Sequence, residues 1–413
     1  MSAADARLET LFRREAGRIS AWLVRLLGPK RLDLIEDAVQ DAFGAALAQW
    51  PYSGTPERPA AWLAIAARNK ALDRLRREAR LEVLDTQDEA AAWRLGFSNP
   101  EDAGKPDDTL ALMFVACHPA LERDEQIMLT LKTVCGFGVA EIARAYLSTA
   151  EAVTQRLVRA KRKIREIGLA FELPQGRELE ERLPALIAAI YLLFNGGYTS
   201  GDGEALMTRE LCAEALRLAT LLIEHPVTSI GECHALAALL SFHHARAEAR
   251  TSDEGALILL AEQDRGRWDH ALIARGFAHL KKAMSSTTLT TLHLEAAIAA
   301  AHASAPSFAA TDWRVIAHHY RALEELKPTP VVRLNAAIAE AHAEGPARGL
   351  AQLDALAGER KLARYALYHS ARGTLLAELG RSTEAAEAFQ KSLDCPINEA
   401  ERTFLTQKLE ACR

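Results

Sequence analysis

Apolar residues recur three and four positions apart along almost all of this chain of 413 residues, the repeat that gives a helix one buried face. Runs of β-branched residues alternating at period two are hard to find, so the pattern predicts an all-α protein. Over 34–43 it places Ile35, Val39, Ala42 and Phe43 on one face and Glu36, Asp37, Gln40 and Asp41 on the other. Two further helices, Pro59 to Arg80 and Val139 to Arg165, begin apolar and end with crowded Arg and Lys.

Breakers divide the chain. Gly28-Pro29 and a loop from Trp50 to Pro56 interrupt the first helices, since Pro and Gly end helical periodicity. The stretch 81–108 carries eight acidic residues, from Glu82 to Asp108, with Asn99-Pro100 and Lys105-Pro106 as breakers, and reads as an acidic linker. A second helical unit, 109–172, ends near Pro174-Gln175-Gly176, and 178–413 is a run of amphipathic helices broken at turns such as Asn195-Gly196-Gly197 and Gly345-Pro346. Near its end Gly373, Leu376, Gly380, Ala385 and Phe389 fall on the small and aromatic positions of a tetratricopeptide helix pair, with Ile338, Gly345 and Leu350 a fainter copy.

Composition narrows the picture. At 49% hydrophobic residues the chain can fill several cores and is not disordered. A polar N-terminus and the lack of any apolar run near the roughly 20 residues of a membrane span point to a cytoplasmic protein that does not enter a membrane. Six scattered cysteines without a CxxC pair suggest buried small hydrophobes, with neither disulfides nor a metal, and no cofactor motif stands out. His118 beside Cys117 has no second ligand pair at metal spacing and reads as structural.

Net charge is -5, so nonspecific coating of nucleic acid by the whole chain is disfavoured and any binding must be carried by patches. The two basic helices are such patches. Val139 to Ala143, a turn at Tyr146 to Thr149, and Ala150 to Lys163 form a helix-turn-helix pattern with Val153 and Leu157 facing inward. Gln155, Arg156, Arg159, Lys161, Arg162 and Lys163 are expected to project outward. Gln and Arg can make bidentate contacts to base edges, and the terminal Lys-Arg-Lys run suits phosphates.

The order of acidic helix, polar loop, Ala61-Trp62-Leu63 and the Arg-rich run Arg68 to Arg77 resembles the sigma-2 domain of extracytoplasmic-function sigma factors of bacterial RNA polymerase. The segment from Glu141 to Ile164 resembles their sigma-4 domain, with Ala152 standing where the family often has Thr. The resemblance implies a sigma-2 bundle at 1–80, a linker, a sigma-4 domain and a tetratricopeptide-like extension. By it, Glu36, Asp37, Gln40 and Asp41 contact the beta-prime clamp helices of core polymerase. Trp50, Tyr52, Arg68, Asn69, Arg74, Arg76 and Arg77 serve the minus-ten element, where a flipped base needs stacking and amide partners. Thr149 and the six outward residues of the second basic helix serve the minus-thirty-five element, beside the polymerase beta flap.

Ala116 to Leu121, Tyr191 to Tyr198, Glu262 to Asp269 and Thr311 to Trp313 look like the subgroup with a long C-terminal extension. That likeness implies control by the extension without a separate anti-sigma factor, and no covalent chemistry. Glu262 to Asp269 itself reads either as helix caps and ion pairs or as a contact surface. Two rival readings are a helix-turn-helix regulator with an effector-binding helical domain and an enzyme using Asp202, His243 or Asp264. No phosphate loop or nucleophile elbow supports the enzyme.

Overall fold

The computed structural model describes residues 3–81, 99, 103, 105–146, 148–199, 205–250, 258–397 and 399–412, and every described element is helical. Contacts divide the chain into two compact units, 1–197 with 224–228, and 198–223 with 229–413. The composition-based limit at 172–178 therefore differs from the division by packing. The reason is one helix, Gly176–Thr199, whose Arg182 is buried and donates from Nη2 to the Phe114 carbonyl at 2.7 Å.

The first unit contains α1 (Ala3–Leu27), α2 (Leu32–Ser53), α3 (Pro59–Leu81), α4 (Pro106–Ala116), α5 (Arg123–Thr133), α6 (Val139–Ala145), α7 (Ala150–Ile167) and most of α8 (Gly176–Thr199). Two expected breaks are absent. Helix α2 continues through Trp50 and Pro51 to Ser53, and the chain turns at Gly54 with φ 80. Pro51 lacks an N–H, so α2 gives up one backbone hydrogen bond in its last turn. Likewise α8 runs through Asn195-Gly196-Gly197. Of the expected linker, 82–98 lies outside the described residues; 106–108 is already helix, with Pro106 at its first position and Asp108 buried against Arg25 at 3.3 Å.

The core of this unit follows the stripes. Leu34, Ile35, Ala38, Val39, Ala42 and Phe43 of α2 are buried, as are Leu63, Ala64, Ala67, Ala71 and Leu75 of α3. Helix α4 is apolar all round and buried from Asp108 to Ala116. Helix α7 starts at Thr149, whose hydroxyl accepts the Ala152 N–H at 3.2 Å, and stops at Gly168 in the left-handed region. Its Val153, Leu157, Ala160 and Ile164 form the buried stripe, each large side chain contributing about 1.5–3 kcal/mol.

The second unit holds α9 (Ala205–Glu224, as far as Ile223), α10 (Gly231–His244), α11 (His270–Ala283), α12 (Thr291–Ser304), α13 (Trp313–Leu326), α14 (Pro330–Glu344), α15 (Pro346–Ala355), α16 (Ala366–Glu378), α17 (Ser382–Leu393) and α18 (Glu399–Glu410). Leu294, Ile298, Ile316, Leu323 and Val332 make one cluster, and Leu334, Leu350, Leu353, Leu376, Phe389 and Leu405 another. The positions singled out near the C-terminus are packing positions: Leu376, Ala385 and Phe389 are buried, and a side chain at Gly373 would meet the Phe389 ring. Cys117, Cys135, Cys212, Cys233 and Cys395 are buried, with the Cys117 thiol pushed up to about 12 by burial. Among the described residues no helix is long and apolar enough to cross a membrane.

The second unit packs closely at Gly349, where a Cβ would lie 2.4 Å from Ala341 Cβ and 2.7 Å from the Ala337 carbonyl oxygen. Gly349→Val is expected to destabilise the chain by about 1–3 kcal/mol. Gly358→Ala, which meets open space, should shift it by less than about 0.5 kcal/mol. Equal denaturation midpoints for the two variants would contradict this packing.

Candidate functional site

The acidic side of α2 is split between two environments. Asp37, Gln40 and Asp41 are exposed, because they lie opposite the buried stripe. Glu36 sits at the stripe's edge and is buried, correcting the expectation that all four share one solvent face. Arg74 of α3 bridges Asp37 at 2.7 Å and Asp41 at 2.9 Å, and its hydrogen bond to Asp41 raises its already high pKa. A residue expected at DNA thus holds two expected at polymerase. Both pairs are solvent-exposed, worth about 0–1 kcal/mol, and exchangeable for an outside partner.

Along the same unit, Trp50 is not on a loop. It is 8% exposed within α2, edge-on to Trp62 with ring centroids 5.5 Å apart. It therefore does not offer a free stacking face in this conformation. Trp62 is only half-buried and Ile65 is exposed; the core face of α3 runs through Leu63 and Ala67. Tyr52 is 92% exposed, and Asn69, Arg76 and Arg77 are exposed. Arg68 reaches the Asn69 amide oxygen at 3.3 Å. An open cleft lined by Asp33, Asp37, Asp41, Lys70, Arg74 and Arg77 joins these two helices.

On α7, Gln155, Arg159 and Arg162 are exposed, as expected. Arg162 lies 3.7 Å from Glu166 one turn on, and three other cations are held by carboxylates of other helices. Arg156 meets Asp124 at 3.2 Å, and Lys163 meets Glu125 at 2.8 Å. Lys161 turns inward, correcting its expected outward projection. Its ammonium donates to Glu36 at 2.6 Å and Asp33 at 3.0 Å, with side-chain exposures of 11% for Lys161 and 10% for Glu36. Arg165 adds a contact to Asp33 at 2.6 Å. Burial pulls Lys161 down, but Glu36 and Asp33 more than offset it and leave its pKa raised. Burial likewise raises Glu36, with Lys161 opposing. The hydroxyl of Thr149 serves as the cap of α7, while the residue itself stays exposed.

Several participants carried no motif. Asp33 and Arg165 lie at the ends of their elements, and nothing in the pattern pairs residues 132 positions apart. Gly17 did carry a signal: a glycine in the interior of a long helix costs about 1 kcal/mol relative to Ala, so a close approach is implied. A Cβ there would lie 1.8 Å from the Val134 carbonyl oxygen.

In the second unit, Glu262 to Asp269 divides into caps and packing. Asp264 accepts the Gly266 N–H at 2.8 Å, and Asp269 caps α11 through the Leu272 N–H at 2.9 Å. Trp268 is 3% exposed, with the guanidiniums of Arg265 and Arg246 at 4.6 and 5.6 Å from its ring. Arg265 donates to the His302 and Ala305 carbonyls at the end of α12. Among the described residues no group of three or more His, Cys, Asp or Glu is placed to hold a metal ion.

Comparison with known proteins bears on both units. Residues 11–81 match the model of Sigma-70 region 2, and residues 182–284 match a family of unknown function, DUF6596. No solved structure matches. The chain is 40% identical over 390 residues to "Uncharacterized protein R00370" of Rhizobium meliloti (strain 1021), covering 92% of this chain and 90% of that protein. The chain therefore belongs to the family of R00370, and the Sigma-70 region 2 at its N-terminus supports a sigma-70 family factor.

Proposed function

We propose that this protein is an RNA polymerase sigma factor of the extracytoplasmic-function type, in which α1 to α3 engage core polymerase and the minus-ten element and α6 with α7 engages the minus-thirty-five element. The observation that carries the reading is the coincidence of the Sigma-70 region 2 match at 11–81 with the exposed strip Asp37, Gln40 and Asp41. Exposed Gln155, Arg159 and Arg162 on a second helix support a duplex contact, with residue types that reach base edges and phosphates. The helices beyond 198 form the tetratricopeptide-like extension, which takes the place of a separate anti-sigma factor. A tethered regulator acts at an effective concentration in the millimolar range, so weak docking suffices.

The chemistry required is binding alone. Charge on α2 selects the polymerase, the end of α3 with Tyr52 and Asn69 receives the opened strand, and α7 fixes register on the duplex. A helix-turn-helix regulator with an effector domain would instead bind duplex tightly without polymerase.

Asp37→Arg with Asp41→Arg is expected to lower core-polymerase affinity at least tenfold in a pull-down, with an unchanged helical circular dichroism spectrum. Arg74→Ala serves as the control for the freed guanidinium. Undiminished capture by the double variant would count against the assignment. A separate expectation concerns α7: Arg159→Ala and Arg162→Ala each weaken holoenzyme binding to a promoter and reduce the slope of log affinity against log salt by about 1. An unchanged slope in a salt titration removes α7 from the phosphate contacts.

A further inference from the structure

In the second unit, Arg265, Trp268 and His302 carry polar atoms that the described residues do not satisfy. The Arg265 guanidinium lies 4.6 Å from the centre of the Trp268 ring, and its Nη1 donates to the His302 and Ala305 carbonyls at the end of α12. Its Nη2 is buried without a hydrogen-bond partner, as are Nε1 of Trp268 and Nδ1 of His302. Trp268 is only 3% exposed, so its N–H has little access to solvent. Arg265 touches both other residues, which gathers the three unfilled atoms around one guanidinium. A buried donor left unmade forfeits its hydration, and native interiors keep few of them, so three in contact point to an acceptor from outside the chain.

Charge defines that acceptor. Arg246 lies 5.6 Å from the same Trp268 ring, and its Nε donates to the buried Gln263 amide oxygen at 3.2 Å. Two guanidiniums therefore flank one indole. Among the described residues Arg265 is bonded to carbonyls and stacked on a ring, and the carbonyl end of α12 offsets only about half a charge. Burial, with Arg246 close by, pulls the Arg265 pKa below its ordinary value. Burial and the same two guanidiniums hold His302 down to about 4, so its imidazole is neutral at neutral pH. A water molecule would leave this positive field as it is, whereas an anion neutralises it.

Geometry narrows the class. The unfilled atoms stand on three separate side chains, and a tetrahedral oxyanion presents oxygens in several directions, whereas a carboxylate offers two in one plane. Its double charge also matches two guanidiniums. The wall is pre-set: His302 packs edge-on to Trp313 at 5.2 Å, and Trp313 stacks on His342 at 4.1 Å.

We propose that the second unit holds a binding site for a phosphate-type oxyanion, as the free ion or as the phosphate end of a small metabolite, built from Arg265, Trp268 and His302 with Arg246 beside them. Arg265 Nη2 and the Trp268 N–H donate to its oxygens, His302 adds a contact through Nδ1, and Arg246 supplies the second positive charge. The site lies within the second unit and does not depend on the sigma-factor reading. Because the ion binds the folded chain, it raises the unfolding midpoint.

The full chain grown on isotope-labelled tryptophan gives one indole N–H resonance for each of its six tryptophans, and Trp268→Phe identifies that of Trp268 by its loss. At constant pH and ionic strength, held with chloride, inorganic phosphate and sulfate are expected to move that resonance saturably and to raise the unfolding midpoint. Arg265→Lys keeps a cation at the α12 carbonyls but removes the Nη2 donor, so calorimetric phosphate affinity should fall about tenfold or more with an unchanged circular dichroism spectrum. Trp268→Phe should lose affinity as well, since it keeps an aromatic ring and lacks only the donor. Methyl phosphate that binds as tightly as inorganic phosphate assigns the site to the end of a metabolite, and binding of inorganic phosphate alone assigns it to the free ion. Acetate binding as tight as phosphate overturns the oxyanion class. A Trp268 resonance indifferent to phosphate, or wild-type affinity in both variants, overturns the site. Should Trp268→Phe fail to fold, the affinity of Arg265→Lys decides alone.

Discussion

An ammonium group almost withdrawn from water must keep its carboxylates, and Lys161, lodged between Glu36 and Asp33, imposes that condition on the whole first unit. Taking both charges out of water costs several kcal/mol per ion, which good geometry returns only in part. The pair is thus a poor source of net stability and a strong source of register: removing one partner strands the other, at about 3–5 kcal/mol. With Lys161 fixed, α7 has one place along α2. The apolar stripe of Val153, Leu157, Ala160 and Ile164 then faces the core, and Arg165 falls on Asp33. The approach of α1 to Val134 at Gly17 belongs to the same arrangement, since a helix can come that close only where the side chain is absent.

Sequence reading was most reliable where a helix's own periodicity decides burial. The stripe Ile35, Val39, Ala42 and Phe43 and the inward Val153 and Leu157 are local properties, and the structure places them so. It was least reliable at stripe edges and at breakers. Glu36 lies one position from Ile35, and whether such a residue meets water depends on the next helix in space, not on α2. Pro51 and the pair Gly196-Gly197 are unfavourable in isolated helices, yet α2 and α8 run through them. Trp50 and Trp62 show the same limit, for their edge-on contact joins two helices whose crossing no single-helix pattern contains.

The second unit obeys a different economy of contacts. Its helices bury small residues against one another, and its polar signature Glu262 to Asp269 is largely consumed by local work: Asp264 and Asp269 close helix starts, and Arg265 closes the end of α12. The cap-and-ion-pair reading of that segment therefore accounts for the carboxylates of Asp264 and Asp269. It also explains why Trp268 is buried between guanidiniums rather than exposed as an anchor.

The two kinds of ion pair on α2 imply an order of events under the proposed reading. Asp37 and Asp41 are held by Arg74 in exposed pairs worth about 0–1 kcal/mol, so an incoming cation displaces that guanidinium at little cost. Gln40 beside them is already open to solvent. Under that reading polymerase meets this outer strip while Lys161 and Glu36 stay paired. DNA has no comparable foothold for Lys161, whose side chain is 11% exposed and whose release leaves Glu36 uncompensated until something replaces it. A surface that already neutralises α2 supplies that replacement, whereas a phosphate backbone, carrying the same sign as Glu36, does not.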